Sequence, residues 1–299
     1  MGLLVIRNLI VSVSAPAAFV ALWLCHTPTA TAQSTPSEPA HVTIEAYADQ
    51  QSIGPGDTFR VALVERIQPG WHTYWINPGD AGQATRLRWS VPGGYRVDDV
   101  QWPVPHVFRS GTLVTYGYEG EVALVQTVHA PGSLASAPAN LSVEAQWLAC
   151  QDICIPEHGV AQVTLRQEAT AAHAAPAAST ALFTAAGARL PKPSPWGASL
   201  AVGPTHVVLT VRGIAPHLPS AAQVQFLPLS WGEIDNDARQ KMARSGDDLL
   251  LTLARGDLRS STLAKLDGLL VLGRGSGQLQ GQGFLLHALA SGTDAPRTR

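Results

Sequence analysis

Two thiols carry the chemistry that this sequence can offer. The run Trp147-Leu148-Ala149-Cys150-Gln151-Asp152-Ile153-Cys154-Ile155-Pro156-Glu157-His158 holds two of the three cysteines in the chain. The third, Cys25, falls in a leader segment, so one intramolecular pair is left. A disulfide needs its Cα atoms roughly 4.4–6.8 Å apart. Positions i and i+4 on a straight strand are about 13 Å apart. Leu141 to Leu148 reads as a strand with Leu141, Val143, Ala145 and Trp147 on one face, so the chain must curl through Gln151, Asp152 and Ile153 for the sulfurs to meet. That places the pair at a strand end, within reach of a partner.

Three chemistries suit such a pair. An inert staple gains little, because so short a loop closes on the order of 2 kcal/mol of chain entropy. A chain of 299 residues with 45% hydrophobic residues does not need so small an increment. A metal-binding dithiol would take Cu(I), with a histidine completing a trigonal site; Cys150, Cys154 and His158 are that set, with His72 and His106 as other donors. The reading favoured by spacing and position is a working dithiol/disulfide, without any cofactor, in which a thiolate attacks a disulfide and the second cysteine resolves the mixed species. Asp80, Asp152, Glu157 and His158 are candidates for tuning the thiol pKa: carboxylates raise it and a protonated imidazole lowers it.

The elements that position this pair read as short strands. Charged residues make up 14% of the sequence, and Gly 27 with Pro 22 favours turn-rich β structure. The net charge is -2 with no basic block, which leaves no electrostatic footprint for nucleic acid. Strands are expected near His41–Ala48, Thr58–Ile67, Thr85–Ser90, Tyr95–Trp102 and Val160–Leu165, with a hairpin of Leu113–Tyr118 and Glu121–Val128 turning at Glu119-Gly120. Together they predict an all-β fold, an immunoglobulin-like β-sandwich over residues 41–168 followed by a second small β domain over 196–290. Between them, 169–195 is an Ala/Pro-rich linker with one short helix at Thr180–Arg189. Asp235 to Arg244 is the one helix expected in the second domain, in which no chemistry is visible.

The first 32 residues carry Arg7, an apolar stretch Leu9–Leu24 and the small-residue site Ala30-Thr31-Ala32, the pattern of a cleaved signal peptide rather than a retained anchor. Residues 33–40 are expected to form a disordered leader and 291–299 a tail. The expected location is the periplasm, a compartment where disulfides persist.

Several spaced motifs occur in one order: Trp71-His72-Thr73-Tyr74-Trp75, Asn77-Pro78-Gly79-Asp80-Ala81-Gly82, Trp102-Pro103-Val104-Pro105, Tyr116-Gly117-Tyr118, and Trp147-Leu148-Ala149-Cys150 through Cys154-Ile155-Pro156-Glu157. In this order they resemble the exported amino-terminal region of DsbD/ScsB-type thiol:disulfide interchange proteins. The resemblance is strong over Val42–Leu165 and weaker over Trp196–Ala290. It implies a cysteine pair relaying electrons between a membrane-embedded thiol reductase and periplasmic thioredoxin-fold proteins, in a system linked to copper tolerance. It also implies a loop that shields the pair and moves aside for a partner; Asn77, Pro78, Gly79, Asp80, Ala81 and Gly82 are the candidate shield. The family pattern continues into a multi-span membrane domain and a thioredoxin domain. This sequence contains neither, so a separate protein is expected to supply the electrons, the alternative being that the relay role is lost and the protein is a structural adaptor.

Overall fold

Strand alternation decides the architecture around the cysteines. In Ala139–Cys150, residues Ala139, Leu141, Val143, Ala145, Trp147 and Ala149 are buried while Asn140, Glu144 and Gln146 are exposed. This is the period-2 pattern of a strand with one face on a core. The computed structural model describes residues 40–169, 176–219, 222–257, 263–274 and 281–290. The expected signal peptide 1–32, all but the last residue of the leader 33–40, residues 170–175 of the linker and the tail 291–299 lie outside the described residues.

In the first half the strands are β1 (Val42–Ala48), β2 (Ser52–Ile53), β3 (Thr58–Ile67), β4 (Thr73–Gly79), β5 (Arg86–Ser90), β6 (Arg96–Val97), β7 (His106–Ser110), β8 (Leu113–Tyr118), β9 (Glu121–His129), β10 (Ala139–Cys150) and β11 (Cys154–Gln167). They form three sheets, in the orders β1-β3-β9-β6, β2-β11-β10-β5 and β4-β8-β7. Residues of all three sheets meet in one apolar cluster that includes Leu63, Trp75, Tyr116, Val143 and Trp147. The result is an immunoglobulin-like layering of β-sheets.

The expected hairpin at Glu119-Gly120 is not formed. β8 pairs with β4 and β7, whereas β9 pairs with β3 and β6. Gly120, at φ 69°, carries the chain from one sheet to another, and its carbonyl accepts the Ile67 N–H at 2.7 Å. Gly117 explains part of the Tyr-Gly-Tyr motif: a Cβ there would lie 1.9 Å from the Thr73 carbonyl oxygen, so only glycine lets β8 approach β4.

One buried charge-bearing group crosses this core. Glu65 is fully buried and accepts hydrogen bonds from the hydroxyls of Thr73 at 2.7 Å and Thr85 at 2.8 Å. Burial raises its pKa, with the two hydroxyls partly opposing the shift.

The second half comprises α1 (Ala177–Arg189), β12 (Lys192–Pro193), β13 (Ala198–Val202), β14 (His206–Val211), β15 (Ala222–Pro228), β16 (Lys241–Ser245), β17 (Asp248–Ala254), β18 (Lys265–Arg274) and β19 (Gly281–Ala290). Its strands build one sheet in the order β15-β18-β19-β13-β14-β17-β16, with β12 beside β19. Two expectations change here. The segment Asp235 to Arg244 is not a helix: the Asp235 carboxylate accepts the N–H groups of Asp237 and Ala238, which fixes a turn, and Lys241 onward pairs with β17. The helix expected in the linker forms, but it is docked: Phe183 and Ala186 pack against Ala62, Val64, Ala123 and Val125.

The two β regions share a core. Leu227, Leu269 and Val271 of the second region join the cluster around Trp75 and Tyr116. The Asn236 side chain accepts the Tyr116 hydroxyl at 2.9 Å and donates to Asp80 Oδ1 at 2.7 Å. Arg109 pairs with Asp237 at 2.9 Å.

Candidate functional site

Cys150 ends β10 and Cys154 begins β11, and the two residues are direct partners in the antiparallel register. Gln151, Asp152 and Ile153 make the loop, closed by Gln151 N–H donating to the Ile153 carbonyl at 3.0 Å. Cys150 also bridges to His72: its N–H donates to the His72 carbonyl at 3.0 Å and its carbonyl accepts the His72 N–H at 2.9 Å. The backbone groups of Cys150 therefore face away from Cys154, which makes the cysteines a non-hydrogen-bonded pair, the kind in which facing Cα atoms approach closest. Here they are 4.1 Å apart and the sulfurs are joined as a disulfide.

The two sulfurs differ in access. Cys150 is 1% exposed. Cys154 is exposed, as are Gln151, Asp152 and Ile153, the last at 65%. A partner arriving from solvent meets Cys154 first.

Tyr74 of β4 packs beside Cys154, and Phe108 of β7 joins the group through His72. The Tyr74 hydroxyl lies 3.6 Å from Cys154 Sγ and 3.2 Å from His72 Nε2. The Phe108 ring stacks on His72 with centroids 4.7 Å apart, and His106 stacks farther out on Phe108. Burial lowers the pKa of His72, opposed by the negative charge of Glu119; burial raises that of Tyr74. Both shifts favour the neutral forms, so Tyr74 keeps its proton to donate.

The residues named from sequence are dispersed. Asp152 is exposed between the cysteines. Glu157 is turned the other way and fastens the sandwich: it accepts from His41 N–H at 2.9 Å, Val42 N–H at 3.2 Å and Trp147 Nε1–H at 3.0 Å, and faces His41 Nδ1 at 2.7 Å. Burial pushes its carboxyl up, but these bonds outweigh that and hold it below the usual value. Asp80 accepts the Val114 N–H at 2.7 Å and the Asn236 amide. His158 shares the face of Cys154 but lies four residues along β11, roughly 13 Å away at the strand rise. The set Cys150, Cys154 and His158 is therefore not assembled as a metal site, and among the described residues no group of three or more His, Cys, Asp or Glu could hold a metal ion.

The segment expected as a shield has other contacts. Asn77 is buried and donates to the carbonyls of Pro228 at 2.8 Å and Ser230 at 3.2 Å, while its own oxygen accepts the Gly79 N–H. Gly82, at φ 103°, backs onto Tyr74, whose ring a Cβ would meet at 2.2 Å. The hydrogen bonds of this segment thus run to the second β region and to β8, and the ring that reaches the sulfur belongs to Tyr74. Sequence reasoning named His72 only as a possible metal donor and gave Tyr74 and Phe108 no role. The one signal was that His72 and Tyr74 both fall in the motif preceding the Asn-Pro-Gly turn.

Comparison with known proteins bears on this geometry. The family model described as thiol:disulfide interchange protein DsbD, N-terminal, matches residues 41–165. Over residues 41–165 the chain is similar to the DsbD N-terminal family. The matched segment contains both cysteines, His72, Tyr74 and Phe108. Beyond it, the N-terminal periplasmic domain of ScsB from Proteus mirabilis shares the fold across both β regions, with a TM-score of 0.57 and 19% identity over 86% of this chain and 96% of that one. The reduced DsbD N-terminal domain of Neisseria meningitidis is 14% identical over 41% of this chain and 85% of its own, at a TM-score of 0.23. The sequence finds no match among curated proteins. No helix among the described residues is long and apolar enough to cross a membrane.

Proposed function

We propose that the protein is a periplasmic thiol-disulfide exchange protein that relays electrons through Cys150 and Cys154. The observation that carries this reading is the asymmetry of the pair: a disulfide closing the tip of a hairpin, with Cys154 exposed and Cys150 buried. Exposed disulfides are the labile ones, and the DsbD N-terminal segment that holds this one supports the assignment.

In the reduced protein the Cys154 thiolate attacks a partner's disulfide. A Cys154–partner bond forms, and the partner's other sulfur leaves with the electron pair and takes a proton. Cys150 then attacks Cys154 Sγ, the protein's disulfide re-forms and the partner is released as a dithiol. Two electrons pass to the partner, and a membrane-embedded thiol reductase restores the dithiol here. Thioredoxin-fold proteins are the proposed acceptors. We assign the cover of the site to Tyr74, His72 and the β7–β8 hairpin bearing Phe108, with Asn77–Gly82 supporting Tyr74 from behind.

Single-cysteine variants test the reading. Cys150→Ala leaves the exposed thiol and traps a mixed disulfide with a thioredoxin-fold partner on non-reducing gels, whereas Cys154→Ala leaves the buried one and traps little. Equal trapping by both, or by neither, overturns the assignment of Cys154.

A further inference from the structure

Two hydrogen bonds in series end on the exposed sulfur, and both donors come from β4 or the residue before it. Tyr74 is 3% exposed. Its hydroxyl lies between His72 Nε2 at 3.2 Å and Cys154 Sγ at 3.6 Å, within the range in which O–H groups contact sulfur. We propose that His72 and Tyr74 form a hydrogen-bond relay that stabilises the Cys154 thiolate and so sets its reactivity. This rests on the exchange reading for its biological purpose, but its chemistry is a property of this chain alone.

The polarity of the relay follows from what each atom can do. A thiolate only accepts, so Tyr74 O–H donates to Cys154 Sγ. The phenolic oxygen then accepts from His72, which requires the proton on Nε2. Burial keeps His72 neutral and Tyr74 protonated, and a neutral imidazole with Nε2–H satisfies the chain. The backbone bridge between His72 and Cys150 fixes the imidazole next to the disulfide, and Phe108 stacked on its face limits its rotation. Tyr74 touches the reacting sulfur and is a catalytic residue. His72 acts through it and is a positioning residue.

The charged and titratable groups around the relay belong to each neighbouring element. From β8 and its turn comes Glu119, which acts on His72 and lies 3.4 Å from His106 Nδ1. β7 supplies His106 behind Phe108. The loop between the cysteines supplies the exposed Asp152. Glu65 is engaged by Thr73 and Thr85, on the other side of β4, and Glu157 by His41 and Trp147. None of these groups has a hydrogen bond to the Tyr74 hydroxyl, so the thiolate's nearest O–H donor is Tyr74.

The test uses the full chain carrying Cys150→Ala, so that Cys154 is the one free thiol of the β region, and follows its rate of alkylation by iodoacetamide against pH. Loss of the donor in Tyr74→Phe raises the apparent pKa of Cys154 by about one unit and slows alkylation about tenfold at neutral pH, a change that one pKa unit implies. His72→Leu gives a smaller rise in the same direction, and His72→Gln, whose amide can donate toward Tyr74, restores most of it. Circular dichroism of each variant separates a folding defect from the relay. Superimposable pH profiles for the folded Tyr74→Phe variant and its parent overturn the proposal, as does a His72→Gln profile no closer to the parent than that of His72→Leu. No partner enters this measurement. A shifted profile in a protein that fails to exchange with any partner would therefore sink the exchange reading and leave the relay standing, and the converse result would sink the relay alone.

Discussion

Replacing Asn236 with alanine tests how the second β region holds the first. Asn236 is 7% exposed, and its amide joins two groups of the first region. It accepts the hydroxyl of Tyr116, a residue wholly removed from solvent, at 2.9 Å and donates to Asp80 at 2.7 Å. Asp80 in turn holds the Val114 N–H of β8. In Asn236→Ala the Tyr116 hydroxyl loses its partner inside the core, a loss worth about 1–3 kcal/mol for a buried polar group. The bond to Asp80 lies nearer solvent and contributes about 1 kcal/mol more. The variant should be less stable by about 3 kcal/mol, a sum of those two contributions. Urea unfolding followed by tryptophan fluorescence measures this directly. The contact is isolated by repeating the substitution in Tyr116→Phe, where no hydroxyl remains to be orphaned. There Asn236→Ala should cost only about 1 kcal/mol, leaving a coupling of about 2 kcal/mol between neighbouring residues. Equal costs in the two backgrounds would refute the reasoning and with it the claim that this amide links the two β regions.

Gly117→Ala should destabilise the protein by about 3 kcal/mol through forced separation of β8 from β4, read as a lowered thermal midpoint; an unchanged midpoint would contradict the close approach to Thr73. Glu65 gives a pH prediction. Its folded-state pKa is raised above 4.5 by burial, so its contribution to stability is complete below that value and is lost as pH rises through the raised pKa. Glu65→Gln, which cannot ionise, should therefore gain stability relative to the parent as pH rises from below 4.5, measured by thermal melts across that range; a constant difference at every pH would show that the carboxyl does not titrate with folding. The alanine variants of Cys150 and Cys154 should differ in mixed-disulfide yield on non-reducing gels, with Cys150→Ala the higher.

Much of the site's frame was legible in the sequence because it is periodic. Leu141, Val143, Ala145 and Trp147 alternate with polar neighbours, which places β10 and its inward face, and the cysteines follow at its end. The need to turn through Gln151–Ile153 came from strand rise alone. Pairing between distant strands was not legible. Glu119-Gly120 has the composition of a hairpin turn, but turn chemistry fixes the bend and not the sheet that each arm joins. Asp235 offered its carboxylate to the next N–H groups, a local pattern that a helix start and an isolated turn share; the pairing of Lys241 with Thr252 decided between them. The relay was hidden for a similar reason. Tyr74 and Cys154 are 80 residues apart, and the bridge from His72 to Cys150 brings their strands together. Glu157 and His158 looked equivalent beside the cysteines, yet strand alternation sends one into the sandwich seam and the other outward.

The most direct measurement mixes the reduced protein with an oxidised thioredoxin-fold protein, quenches with acid, and counts alkylated cysteines by mass at successive times. The account predicts that Cys150 and Cys154 cease to be alkylated together while the partner gains two thiols. A dithiol that stays open with every such partner, yet closes with a small-molecule oxidant, would contradict it.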